Sequence, residues 1–145
     1  MKINQISLFL ENKPGHLNAI CRTLAEAKIN IVTLSLADTQ QFGIVRLIVE
    51  EWLKAKEVLE KAGYVVNVRE VVAAAVADKP GGMAEILDII GTTGVNIEYM
   101  YAFAFRHGKE AVLVFRFDNP DRAIEALKAA GRDVLDAVTL FNEAK

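Results

Sequence analysis

Asn12-Lys13-Pro14-Gly15-His16-Leu17 and Asp78-Lys79-Pro80-Gly81-Gly82-Met83 are two copies of one short phrase, 66 positions apart, and what surrounds them decides the fold. Each copy closes an apolar run that alternates like a strand and opens a segment with helical spacing, so each reads as a strand-to-helix turn. Before the first copy, Ile6, Leu8 and Leu10 fall on one face of a strand. After it, Leu17, Ile20, Cys21 and Leu24 follow the i, i+3, i+4, i+7 spacing of an amphipathic helix that is expected to end near Lys28. A turn of this kind is a natural anion site. The first helical amides have no partner within the helix, the peptide dipoles converge there, proline suits the first position, and glycine lets a ligand approach the backbone. A well-made helix start that binds nothing is the plainer alternative.

The rest of each half has the same order. Ile31–Ala37 reads as a second strand, Gln40-Gln41-Phe42-Gly43 as a turn, and Ile44–Glu50 as a third strand with Val45, Leu47 and Val49 inward. Ala55, Val58, Leu59 and Ala62 make a second helix stopped at Gly63, and Tyr64–Val68 a fourth strand. The second half repeats this. Val71–Ala77, Val95–Phe105, Ala111–Phe117 and Val134–Phe141 read as strands, with helical stripes at Met83, Ile86, Leu87, Ile90 and at Ala123, Ala126, Leu127, Ala130. Lys13, Pro14, Gly15, Ile20, Asn30 and Ile31 recur as Lys79, Pro80, Gly81, Ile86, Asn96 and Ile97. The offset grows by two residues across the hairpin Arg106-His107-Gly108-Lys109, as a surface insertion would produce. The expected class is α+β: two ferredoxin-like βαββαβ domains, residues 1–69 and 70–145, each an antiparallel four-stranded sheet with helices on one face.

Composition narrows the function classes. Hydrophobic residues are 52% and charged residues 25% of the 145, enough apolar material for packed cores and against disorder. A net charge of -2 gives no bulk drive toward nucleic acid or anionic membrane, and no apolar run is long enough for a spanning helix, so a cytoplasmic protein with neither partner is expected. The single Cys21 lies on a helical apolar stripe and reads as a small buried hydrophobe. With two histidines, no Cys-x-x-Cys pair and no base beside Ser7 or Ser35, no catalytic residue, metal site or cofactor is assigned. The strand after Asn96 carries aromatics at alternate positions, Tyr99, Tyr101, Phe103 and Phe105. If the repeat holds, they lie on the face away from the helices and must be covered, as an interface first and as a pocket lining second.

Together, the turn, the repeat and the Asn-Ile that opens each second strand resemble the ACT domain, a regulatory module that binds small molecules, most often amino acids. The matching residues are Asn12-Lys13-Pro14-Gly15-His16-Leu17 with Asn30-Ile31, and Asp78-Lys79-Pro80-Gly81-Gly82-Met83 with Asn96-Ile97. The resemblance covers nearly the whole chain, as in stand-alone tandem ACT proteins. It implies a ligand held between the first turn of one domain and the second-strand start of the other. A zwitterionic amino acid would set its carboxylate on the amides around Gly15 and His16, or Gly81 and Gly82. Its ammonium would go to Asn12 or Asp78, and Asn30 or Asn96 would complete the site of the opposite half. The partners implied are a free amino acid, a regulated enzyme and further copies of the chain. The chain departs from the pattern at Lys28, where the second half has Gly94, which leaves the turn before Asn30 free to differ; Asn12 and Asp78 differ in charge, so the two sites are not equivalent; and His16, where the second half has Gly82, reads first as an exposed structural histidine and second as a ligand contact. An RNA-binding module shares the βαββαβ order, but its aromatics belong on the first and third strands with a basic flank. A small enzyme on the same scaffold is the other alternative.

Overall fold

The computed structural model describes residues 1–145 except Gln40, with the backbone alone at Thr39. The elements are β1 (Ile3–Glu11), α1 (His16–Glu26), β2 (Thr33–Thr39), β3 (Phe42–Ile48), α2 (Trp52–Lys61), β4 (Val66–Ala77), α3 (Gly82–Gly91), β5 (Ile97–His107), β6 (Glu110–Phe117), α4 (Pro120–Ala129), β7 (Val134–Leu135) and α5 (Ala137–Glu143). The chain divides into two compact units, Asn4–Arg69, and Glu70–Lys145 together with Met1–Ile3.

In the unit Asn4–Arg69 the strand order is β2-β3-β1-β4. Leu8 and Leu36 both stand opposite Val45, and Ile6 and Leu34 opposite Leu47, so the alternation read from the sequence becomes one apolar sheet face. Ile6, Leu8, Leu10, Val45, Leu47 and Val49 bury that face against Ile20 and Leu24 of α1 and Ala55 and Leu59 of α2. Cys21 is only partly buried. Of the expected turn at 40–43, Gln40 lies outside the described residues, Gln41 is a turn residue, and Phe42 and Gly43 already belong to β3.

The unit that begins at Glu70 has the order β7-β4-β6-β5. Val72, Ala74 and Val76 of β4 and Phe115 and Phe117 of β6 pack against Ile86 and Ile90 of α3 and Ala123 and Leu127 of α4. The Phe115 and Phe117 rings stack with centroids 5.3 Å apart.

Two readings need correction. The strands expected at 64–68 and 71–77 are one strand, Val66–Ala77, because no turn residue interrupts it at Arg69-Glu70. There the Glu70 carbonyl accepts a bond from Arg116 at 2.9 Å. The last strand, expected over Val134–Phe141, stops after two residues: the Asp136 carboxylate accepts from the Thr139 amide at 2.8 Å and caps α5, which buries Leu140 and leaves Val138 exposed. The turn before Asn30 differs from its counterpart in its bonds, with Ile29 N–H donating to Leu24 C=O at 3.0 Å where Val95 N–H donates to Thr93 Oγ1 at 3.0 Å, yet Lys28 keeps the backbone sign of the glycine it replaces. It adopts φ 60°, the left-handed conformation that Gly94 takes at φ 75° in the second half.

The aromatic strand follows the expected face in part. A register shift between Ile97 and Tyr99 reverses the alternation. Ile97 therefore packs with the helix-side core, while Met100 stands opposite Phe115 and Tyr101 opposite Val114. Tyr99 and Tyr101 thus point to the face away from α3 and α4. A second irregularity between Ala102 and Arg106 interrupts the ladder. Phe103 is buried at 8% exposure and Phe105 is 38% exposed, their rings tilted with centroids 5.8 Å apart. Within this unit α5 packs against β5.

Candidate functional site

The two Pro-Gly turns have nearly identical backbones. Gly15 has φ 87° and ψ -13°, and Gly81 has φ 87° and ψ -10°, left-handed values that glycine adopts without penalty. The bonds around them repeat as well. Lys13 N–H donates to Glu11 C=O at 2.8 Å and Lys79 N–H to Ala77 C=O at 3.0 Å; Ala19 N–H donates to Gly15 C=O and Glu85 N–H to Gly81 C=O, both at 3.0 Å. No side chain caps either helix, nor α2, whereas Asn119 and Asp136 cap α4 and α5. The amides of His16 and Gly82 are already engaged by the turns, donating to Lys13 C=O at 3.3 Å and Lys79 C=O at 3.0 Å. The donors left without a carbonyl one turn back are those of Leu17 and Asn18, and of Met83 and Ala84. A Cβ placed on Gly15 or Gly81 would meet nothing within 4 Å, so the backbone there is open to approach.

Asn12, Pro14, Gly15, Asp78, Pro80 and Gly81 are exposed. Leu17, Ile31, Met83 and Ile97 are half-buried and pack on the two cores, which makes them anchors of the turns and strand starts. Asn30 and Asn96 are exposed, and the Asn96 amide donates to the Asp118 carboxylate at 2.9 Å. Gly82 differs from its counterpart His16. It is buried against the end of β4, where a Cβ would come 1.9 Å from the Ala77 carbonyl oxygen, so glycine is required there for packing.

The registers separate the turn from the strand start within each half. Glu11, beside the first turn, pairs with Phe42, which pairs with Thr39 at the end of β2; the start of β2, Thr33, pairs with Ile48. Six strand residues at 3.3 Å each put the two features about 20 Å apart, at opposite ends of one sheet. The second half has the same arrangement: Ala77 pairs with Glu110 and Glu110 with His107, whereas Ile97 pairs with Phe117. A turn and a strand start of the same half therefore cannot hold one small molecule.

Charge differs between the turns. In the first, Lys13 Nζ lies 2.8 Å from Glu11 Oε2; the pair holds the Glu11 carboxyl below its ordinary range, with a smaller push from His16, and raises Lys13. In the second, Asp78 Oδ2 is met by Arg106 at 2.8 Å, and Lys79 lies 4.0 Å from Glu85. Arg106 was missed in the sequence because it belongs to a hairpin far along the chain. Three open depressions lie in the unit Asn4–Arg69. One of about 430 Å³ is lined by Glu11, Asn12, Lys13, Gln41 and Phe42. Another of about 340 Å³ runs past Phe9, His16 and Tyr64, and a third of about 360 Å³ is lined by Lys28, Ile29, Asn30, Val32, Glu50 and Glu51. Glu50 and Glu51 extend the Asn30 region with negative charge. Among the described residues no cluster of His, Cys, Asp and Glu could hold a metal ion, and no helix is long and apolar enough to cross a membrane.

Comparison with known proteins agrees with this architecture. No curated protein matches the sequence. Protein BT0572 from Bacteroides thetaiotaomicron superposes with a TM-score of 0.89 at 39% identity, over 97% of this chain and 96% of that one. The ligand-free regulatory subunit of aspartate kinase from Thermus thermophilus has a TM-score of 0.64 at 20% identity, over 88% and 91%, and a structure of the aspartokinase alpha and beta subunits has 0.61 at 17%, over 88% and 91%. These two share the fold. The family model for the ACT domain pair matches residues 1–143, and with the doubled turn and the doubled sheet this chain belongs to that family.

Proposed function

We propose that the protein is a regulatory module that binds a free amino acid or a similar zwitterion, and that its two ACT-like domains divide at Arg69-Glu70. The observation that carries this reading is the pair of turns, alike in torsion angles and bonding, each opening a helix with no side-chain cap. A helix start left uncapped twice in the same geometry is suited to a carboxylate. The ligand's ammonium goes to the side-chain oxygen of Asn12 or Asp78. The turn of one domain is completed by Asn30 or Asn96 of another, since the strand start of its own half lies about 20 Å away. Such a site needs two domains, from one chain or from a homo-oligomer. The similarity in fold to the regulatory subunit of aspartate kinase favours action on an enzyme partner over catalysis by the chain itself.

Thermal-shift screening against the common amino acids, followed by calorimetry on the hits, tests the reading. Saturable binding that weakens in Asn30→Ala and in Asn96→Ala is expected. Both residues are exposed, so neither change should unfold the protein. Absence of binding to every common amino acid, or full affinity in the double variant, would falsify it.

A further inference from the structure

Consecutive residues near the end of β5 hold two different elements. Arg106 bonds the Asp78 carboxylate at 2.8 Å, at the proposed ligand turn, and also donates to the Lys109 carbonyl at 2.9 Å. His107 bonds α5, its Nδ1 lying 2.6 Å from Glu143 Oε1, while its Nε2 lies 3.7 Å from Asp133 Oδ2 just before β7. Neighbouring side chains on a strand point to opposite faces of the sheet. Arg106 stands opposite Ala111, which pairs with Val76 of the helix-side core, so Arg106 projects on the side of the α3 start and His107 on the other. The regular pairing of β5 with β6 breaks between Ala102 and Arg106 and resumes with a shifted register. The hairpin tip from Arg106 to Glu110 is thereby set off from the rest of the strand.

We propose that this tip couples the ligand turn to the docking of α5. The proposal rests on the site reading above and adds its output. A ligand ammonium at Asp78 competes with the Arg106 guanidinium for the same carboxylate. Arg106 then loses its anchor, the tip pivots at the irregular stretch, and His107 withdraws from Glu143. The helix α5, which packs against β5 and buries Leu140, is loosened. Coupling is reciprocal, so weakening the α5 latch must also favour binding at Asp78.

Hydrogen exchange of the 137–145 peptide in the full chain reads the coupling without any ligand. Glu143→Gln weakens the latch bond to His107 and should speed exchange of α5 about two- to fivefold, within the range of one side-chain hydrogen bond. Arg106→Ala and Asp78→Asn, on the other side of the sheet, should speed it comparably, while Lys79→Ala should not. Normal α5 exchange in Arg106→Ala or Asp78→Asn overturns the proposal, as does an equal effect of Lys79→Ala or no effect of Glu143→Gln. A mixture of the common L-amino acids, checked by calorimetry on the same sample, separates the two readings. Binding heat without faster α5 exchange overturns the coupling and leaves the site standing. Absence of heat overturns the site, and the variants then decide the coupling.

Discussion

The second turn has no room for a single methyl group at Gly82. Replacing Gly82 by alanine places a Cβ 1.9 Å from the Ala77 carbonyl oxygen and 3.0 Å from its carbon, where nonbonded carbon and oxygen need more than 3 Å. The obstacle is backbone that also accepts the Lys79 amide at 3.0 Å, so it cannot rotate away like a side chain. The start of α3 must lift from β4 by more than 1 Å, which breaks the turn and disturbs Ile86 behind it. Overpacking of this kind costs about 1–3 kcal/mol, and a backbone obstacle puts it at the upper end. At about 4–8 °C per kcal/mol for a domain of this size, the midpoint of the second domain should fall by about 10–20 °C in a calorimetric scan. Gly91→Ala in the same helix is the control. A Cβ there meets nothing within 4 Å, so the same chemical change should stabilise by about 0.5–1 kcal/mol. Equal or neutral effects of the two substitutions would refute the close approach of α3 to β4.

Further outcomes follow from other residues. Lys28→Gly relieves a left-handed residue worth about 1–2 kcal/mol and adds unfolded-state freedom worth about 0.5–1, so a small net gain in the urea midpoint is expected, and a loss would contradict the assigned φ. Leu24→Ala and Ile90→Ala empty the two helix-side cores and should each cost about 2–5 kcal/mol by the same assay. Bonding to Thr139, first to its amide, holds the Asp136 carboxyl below its ordinary value. The cap therefore contributes fully above about pH 4 and is lost as pH falls through the lowered value, so α5 amides should exchange faster in acid, after correction for intrinsic rates, well before the β4 amides do. Gly15→Val and Gly81→Val meet no neighbour but force a branched residue to φ 87°. They should remove ligand binding together with some stability, so calorimetry on them must be read beside their unfolding curves.

What the sequence determined by itself was whatever depends on neighbours within a turn or two. The alternation of Ile6, Leu8 and Leu10, the stripes at Ile20–Leu24 and Ile86–Ile90, and the repeated Pro-Gly turn are local periodicities, and their doubling identified the architecture. The tertiary structure decided what depends on distant partners. Arg69-Glu70 holds no turn-forming residue, which permits a continuous strand, but the pairing of the surrounding strands is what made β4 one element. Val134–Phe141 alternates enough to pass for a strand, and Asp136 with the burial of Leu140 turned it into a helix. Gly82 reads like a ligand-facing glycine until the Ala77 carbonyl is placed beside it. Arg106 acquires its partner Asp78 only when the hairpin folds back to the end of β4, and the 20 Å between a turn and its own strand start is a property of strand register. Periodicity specifies which face of an element is buried, but the contacts that shape a site join residues far apart in the chain.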